Sequence, residues 1–374
     1  MDQSGVDSSG RPNSLWYFLL LGFFGMCFSE ILIWNTRTIS LVFNRGIIPT
    51  FIGISIVWFF YTVMMSWFVD LVIRQKVDDT IGLLLLGNLY GLINEGFFAQ
   101  NLYSAPAAVL GISPLFLIWP TLSWHPIIVA LPTWYLFKSF VYRRLSWAPA
   151  SLSLWQSVIV VLISGFWFSW QHAKWQQMWF PSGIELKIQF LFLMFPLLAC
   201  GLLLFKTLRL PVPVFSEGLF TVEQRRLVWI FLALAGINNL RLVPVKSGSL
   251  TVVMLMVFYW LLFQLSRNQV GLCDESAQEL ELRERKRSEH FSNPDSPHRL
   301  RFPTHAYFQF SFLVVSAYVV FQLITLKSGL KAVWASTSMV VVFFALIFSA
   351  GLPFFLLFRF FILQFIHFYH RRSR

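Results

Sequence analysis

An all-α, polytopic integral membrane bundle of about ten transmembrane helices is the fold this sequence predicts. Three observations predict it. Hydrophobic residues make up 57% of the 374 positions and charged residues only 12%, with a mean hydropathy of +0.65, so the chain cannot be read as a soluble globule. Its 42 Phe and 16 Trp exceed what an aqueous core needs and suit a lipid-facing surface with aromatic belts at both interfaces. Apolar runs of roughly 20 residues, the length that crosses about 30 Å of hydrocarbon, recur along its whole length.

Taken in order, the predicted spans are 15–33, 47–69, 80–98, 124–141, 154–170, 188–205, 227–240, 250–265, 307–326 and 333–361. The polar tail 1–14 carries one base, Arg11, and no small-residue cleavage site follows the first run, which therefore reads as a retained span rather than a signal peptide. Between spans three and four, 101–123 holds no charge but contains Pro106, Pro114 and Pro120, which predicts a re-entrant or interfacial segment rather than a continuous helix. The seventh run is short and is closed by Asn238, Asn239 and Arg241. The tenth is long and interrupted by Pro353 and Arg359, which predicts a kink or an interfacial tail.

Charge sets the orientation. Of the 29 Lys and Arg, 19 fall in the N-terminal tail, the even-numbered loops and the C-terminal tail, against 8 in the odd-numbered loops, with Lys138 inside span four near its cytoplasmic end and Arg359 inside the last span. That bias predicts both termini on the cytoplasmic side. The net charge of +12 is scattered over short loops, so it fits anionic headgroups of the bilayer and gives no contiguous stripe for nucleic acid. Segment 266–303 is the one sizeable polar stretch. Its first half mixes acids and bases at helical spacing, and its second half holds Pro294 and Pro297. It divides a membrane bundle (15–265) from a two-helix unit with a basic tail (304–374), and is a tether or a docking point for a protein partner. Short external loops point to a prokaryotic inner membrane. Cys27, Cys200 and Cys273 form neither a disulfide framework nor a CxxC pair.

Ionisable side chains at membrane depth are costly and mark sites more often than packing. Here they cluster toward one face. Glu30 lies near the end of span one, within reach of Arg37 or Arg45 for a structural ion pair. Glu95 lies near the end of span three between Ile93 and Phe97, with Gly91 and Gly96 beside it to let a neighbouring helix or a ligand come close. His125 opens span four before Pro126, and His172 closes span five between Trp170 and Trp175. Asn238, Asn239 and Arg241 sit at the same level, where the asparagines could equally be a helix C-cap. Together these residues predict a binding site for a small solute or ion. Glu95, His125 and His172 are also a donor set suited to a divalent metal, with Glu95 and His172 the catalytic candidates of a metal-assisted hydrolase. No HExxH, HxxxH or Glu-Glu pair is present, and no GxxxxGK[ST] loop that would bind a nucleotide.

Asn94-Glu95-Gly96-Phe97-Phe98 and Phe168-Ser169-Trp170-Gln171-His172 resemble motifs of the CPBP family of intramembrane metalloproteases, the CAAX-protease and bacteriocin-processing group. The resemblance implies an all-helical membrane fold in which Glu95 matches the second glutamate of a Glu-Glu-x-x-x-Arg motif. His172 matches the histidine of Phe-x-x-x-His, and Asn238 a later asparagine. Asn94 stands where that family has its first glutamate and Ala99 where it has arginine, and span seven lacks a histidine. The resemblance therefore implies at most a distant or inactive relative. Pieces around Ser29-Glu30 and Tyr90–Gly96 are also similar to prokaryotic multi-span membrane proteins of no established function. Three readings follow: a carrier or binding component for a small solute, ion or lipid; a metal-dependent hydrolase; or a structural or assembly protein in which the polar groups pair helices. The missing internal repeat argues against a known transporter architecture.

Overall fold

The structure, a computed structural model, describes residues 15–31, 47–77, 79–103, 109–134, 137, 218–242, 246–271, 351 and 353–362. Its elements there are helices: α1 (Leu15–Met26), α2 (Ile47–Arg74), α3 (Thr80–Ile93), α4 (Pro114–Trp134), α5 (Val222–Leu242), α6 (Lys246–Gly271) and α7 (Pro353–Ile362). Among the described residues there is no strand, only an isolated antiparallel bridge between Val109 and Ile112. Four stretches are long and apolar enough to cross a membrane: Phe51–Arg74, Thr80–Phe98, Pro114–Trp134 and Ser247–Arg267. Leu15–Glu30 and Pro353–Ile362 are shorter apolar helices. The expected spans 154–170, 188–205 and 307–326 lie outside the described residues, as do His172 and nearly all of the polar segment 266–303.

Polarity is arranged inside-out. Buried positions include Ser29, Ser66, Asp70, Asn88, Asn94, Glu95, Thr121 and His125, whereas Phe51, Ile56 and Phe59 on α2 and Leu227, Trp229 and Leu234 on α5 are exposed. Water would reverse that arrangement, since exposed aromatic faces gain nothing there. A lipid solvent favours it, because polar groups then find partners only between helices.

Small residues set the helix crossings. A side chain at Gly22 would strike the backbone and hydroxyl of Thr62, so α1 and α2 approach at backbone contact. Trp58 Nε1 donates to the Leu19 carbonyl at 3.0 Å across the same crossing. On α3, Gly87 lies against Pro126, Gly91 against Thr121 and His125, and Gly96 against Val252 of α6. The two glycines beside Glu95 thus admit two helices, α4 and α6.

The segment after α3 departs from expectation. Asn101–Tyr103 is one 3₁₀ turn, and residues 109–112 form a tight turn with Leu110 at φ 52° and Gly111 at φ 80°. Gly111 sits directly on Gly248 at the start of α6, and Thr251 Oγ1 donates to the Leu110 carbonyl at 2.8 Å. Helix α4 then begins at Pro114 rather than at residue 124, so the expected re-entrant reading of 101–123 is corrected for its second half. Pro114 tolerates the first helical turn, where its missing N–H has no partner to lose, and Ser113 supplies the cap. Pro120 and Pro126 are accommodated because Leu117–Ala130 is wound as a wider π-helix. Hydroxyls of Thr121 and Ser123 donate to the carbonyls five residues back, Phe116 and Ile118, each at 2.8 Å. As a consequence His125 sits midway along α4 and does not open it.

At the opposite end of α2 a buried carboxylate joins distant parts of the chain. Asp70 accepts the backbone N–H groups of Leu219 (2.7 Å) and Phe220 (2.9 Å), and Arg225 Nε donates to its Oδ2 at 3.1 Å. Gly218, at φ 112°, packs directly on Asp70 Oδ1. A capping box, Thr221 with Gln224, starts α5: Thr221 N–H donates to Gln224 Oε1 (3.0 Å) and Gln224 N–H to Thr221 Oγ1 (3.2 Å). The helix is therefore longer at its start than the apolar run 227–240.

Candidate functional site: a buried acid and imidazole cluster

Glu30, Glu95 and His125 each lie in a π-helical stretch. Glu30 is in Cys27–Ile31, which continues α1; Glu95 is in Asn94–Phe98, which continues α3; and His125 is in Leu117–Ala130 of α4. A π turn carries one more residue than an α turn, re-aims the side chains on it, and is found mostly where function outweighs regularity. Asn94 opens the turn in α3, and the Ala99 N–H closes it on the Asn94 carbonyl at 2.8 Å.

The centre of the cluster is the contact of His125 Nε2 with Glu95 Oε1 at 2.8 Å, both side chains nearly sealed from solvent. Asn101 Nδ2 donates to the other carboxylate oxygen, Glu95 Oε2, at 2.8 Å. Asn94 Nδ2 lies 3.0 Å from His125 Nε2. Two proton arrangements satisfy these contacts. With Nε2 protonated, the imidazole donates to a Glu95 carboxylate and the Asn94 amide turns its oxygen to the ring. With Nε2 bare, Asn94 donates to it and Glu95 carries the proton. In both, one proton sits between Glu95 and His125. The other ring nitrogen, Nδ1, is buried with no hydrogen-bond partner among the described residues.

Around this pair stand groups from α1, α2 and α3. The Tyr61 hydroxyl donates to Glu30 Oε1 at 2.7 Å. The Tyr90 ring packs edge-on to His125, with centroids 5.3 Å apart. Glu30 interacts electrostatically with Glu95, and the Tyr90 hydroxyl with both carboxylates. Ser29 Oγ lies beside the hydroxyls of Tyr61 and Tyr90, and both Ser29 Oγ and Tyr90 Oη are buried.

Three of the residues singled out from sequence therefore come together: Glu30, Glu95 and His125. Asn238 and Arg241 are exposed near the end of α5, while Gly236 of that helix lies 3.6 Å, measured from where its Cβ would be, from the Phe97 ring. Asn239 belongs to the same helix. Tyr61, Tyr90 and Asn101 were not singled out; a tyrosine in an apolar run reads as belt or core. Among the described residues no group of three or more His, Cys, Asp or Glu is placed to hold a metal ion. Glu95 and His125 offer two donors, and His172 lies outside the described residues. No known family model, curated protein or solved structure matches the chain.

Proposed function

We propose that this chain is a multi-pass membrane protein that carries or binds a small solute, ion or lipid, with the Glu30, Glu95 and His125 cluster as its binding site. One observation carries the reading: all three ionisable residues sit on π-helical turns of different helices that pack together, with Glu95 and His125 buried and Glu30 half-buried. Ten spans, cytoplasmic termini and an inner-membrane location belong to the same proposal, on the strength of the hydropathy and Lys/Arg pattern. So does a cytoplasmic segment 266–303 available to a protein partner; reporter fusions within that segment test its side.

The direct test reconstitutes the purified chain in liposomes and follows solute or ion flux with and without a pH gradient. Glu95→Gln is expected to abolish flux while expression and thermal stability in detergent stay nearly unchanged. Loss of folded protein in Glu95→Gln would instead assign the cluster to helix pairing, the structural reading.

A second reading, a metal-dependent hydrolase, is favoured by the adjacency of Glu95 and His125 and by His125 Nδ1, which has no partner among the described residues. It requires His172 as a further ligand. Purified protein would then hold a near-stoichiometric divalent ion that His172→Ala loses. Metal-free protein in both samples removes this reading.

A further inference from the structure

The Glu95 carboxylate is saturated with partners, but the groups beside it are not. Both oxygens of Glu95 are engaged, by His125 and by Asn101, whereas Glu30 holds only the Tyr61 hydroxyl on Oε1 among the described residues. No Lys or Arg ion pair reaches Glu30 there. Next to it two hydroxyl oxygens, Ser29 Oγ at 2% exposure and Tyr90 Oη at 0%, are buried without a hydrogen-bond partner. Buried polar atoms left unpaired cost free energy, and an ion held among them is one way that cost is offset. A carboxylate, a serine hydroxyl and a phenol oxygen, with no Lys or Arg among the described residues paired to them, form a hard, oxygen-only donor set.

We infer that Glu30, Ser29 and Tyr90 bind a monovalent alkali cation of sodium size beside the Glu95–His125 pair. The charge count selects the valence. Glu30 is the one carboxylate among the three donors, so the set itself carries at most a single negative charge, and the oxygens of Glu95 are already bound by His125 and Asn101. The two π turns explain how the donors meet. Ser29 and Glu30 are neighbours in the widened turn that ends α1, and Tyr90 lies one turn before the widened turn of α3. This inference rests on the proposed binding role of the cluster and names its ligand.

The experiment measures thermal stability of the full chain in detergent at constant ionic strength while sodium chloride replaces choline chloride, together with binding of radioactive sodium. Wild type is expected to gain stability saturably with sodium and to bind about one ion. Glu30→Gln is expected to lose the response. Tyr90→Phe, which keeps the ring on His125 and removes one oxygen, should weaken sodium binding by about tenfold or more. Asp70→Asn, at the far end of α2, should keep the wild-type response. A wild type indifferent to sodium, or responding only to pH, overturns the cation site, as does full binding in both cluster variants. Sodium binding without flux in liposomes would leave this site standing and end the carrier reading; flux without sodium binding would do the reverse.

Discussion

Gly91 of α3 rests directly on the Thr121 carbonyl of α4, and one turn further on the same two helices bring Glu95 to His125. The missing side chain lets α4 come close enough for the 2.8 Å contact to form. Gly91→Ala would drive a methyl group into that carbonyl and toward His125 Cβ, which lies 3.1 Å from the same point. Overpacking of this kind costs about 1–3 kcal/mol. Gly91→Ala should lower the unfolding midpoint clearly, while Gly236→Ala, whose new methyl meets only the Phe97 ring at 3.6 Å, should be nearly silent. Thermal unfolding of both variants in one detergent decides it; equal effects would refute the close-approach argument.

Asp70 holds two backbone N–H groups and a guanidinium from a stretch about 150 positions away. Asp70→Ala would leave the Leu219 and Phe220 N–H groups without their acceptor in a buried place and take the carboxylate from Arg225, at a cost of about 3 kcal/mol or more. Asp70→Asn keeps an acceptor for Leu219 and Phe220 and should lose less. In a double-mutant cycle with Arg225→Ala the coupling should be favourable by about 0.5–3 kcal/mol. Additive losses would mean that the 3.1 Å contact is geometrically present but energetically idle.

Thr221→Ala removes one half of a reciprocal cap and should destabilise α5 by about 1 kcal/mol, with Gln224→Ala losing a similar amount. Because the cap follows immediately on the residues that Asp70 holds, its loss should also speed hydrogen exchange at Leu219 and Phe220. Unchanged exchange there would separate the cap from the clamp.

Tyr61→Phe deletes the only hydrogen bond that Glu30 receives from the described residues. A bond to a charged group contributes about 1.5–3 kcal/mol and one to a neutral group about 1 kcal/mol. Comparing Tyr61→Phe in wild type and in Glu30→Gln therefore reads the charge that Glu30 carries. A loss that is equal in both backgrounds would show Glu30 uncharged in the resting protein.

Hydropathy located α1, α2, α3 and α6 well, because a lipid solvent writes its demands into run length and little else decides where such helices lie. It misplaced the start of α4. Pro120 and Pro126 are breakers in an α-helix, and no local pattern announces that fourteen residues are wound one residue wider per turn. Glu30, Glu95 and His125 were legible as costly groups near one another in depth, and His125 was assigned to a helix start that it does not occupy. Asp70 was overlooked because a lone acid just past an apolar run looks like ordinary loop chemistry; its partners lie too far along the chain for spacing to reveal them. Tyr61, Tyr90 and Asn101 acquire meaning only from what they face.

Each widened turn holds one surplus residue, and that makes the cluster unusually vulnerable to a particular kind of genetic lesion. Excising a single codon from 94–98 would let α3 close into regular α pitch, still apolar, of nearly the same length and in register beyond, yet without the wide turn that aims Glu95. Such an allele would insert and accumulate normally while its carboxylate faced the wrong helix. Substitution scanning, which removes no residue, would never uncover that dependence.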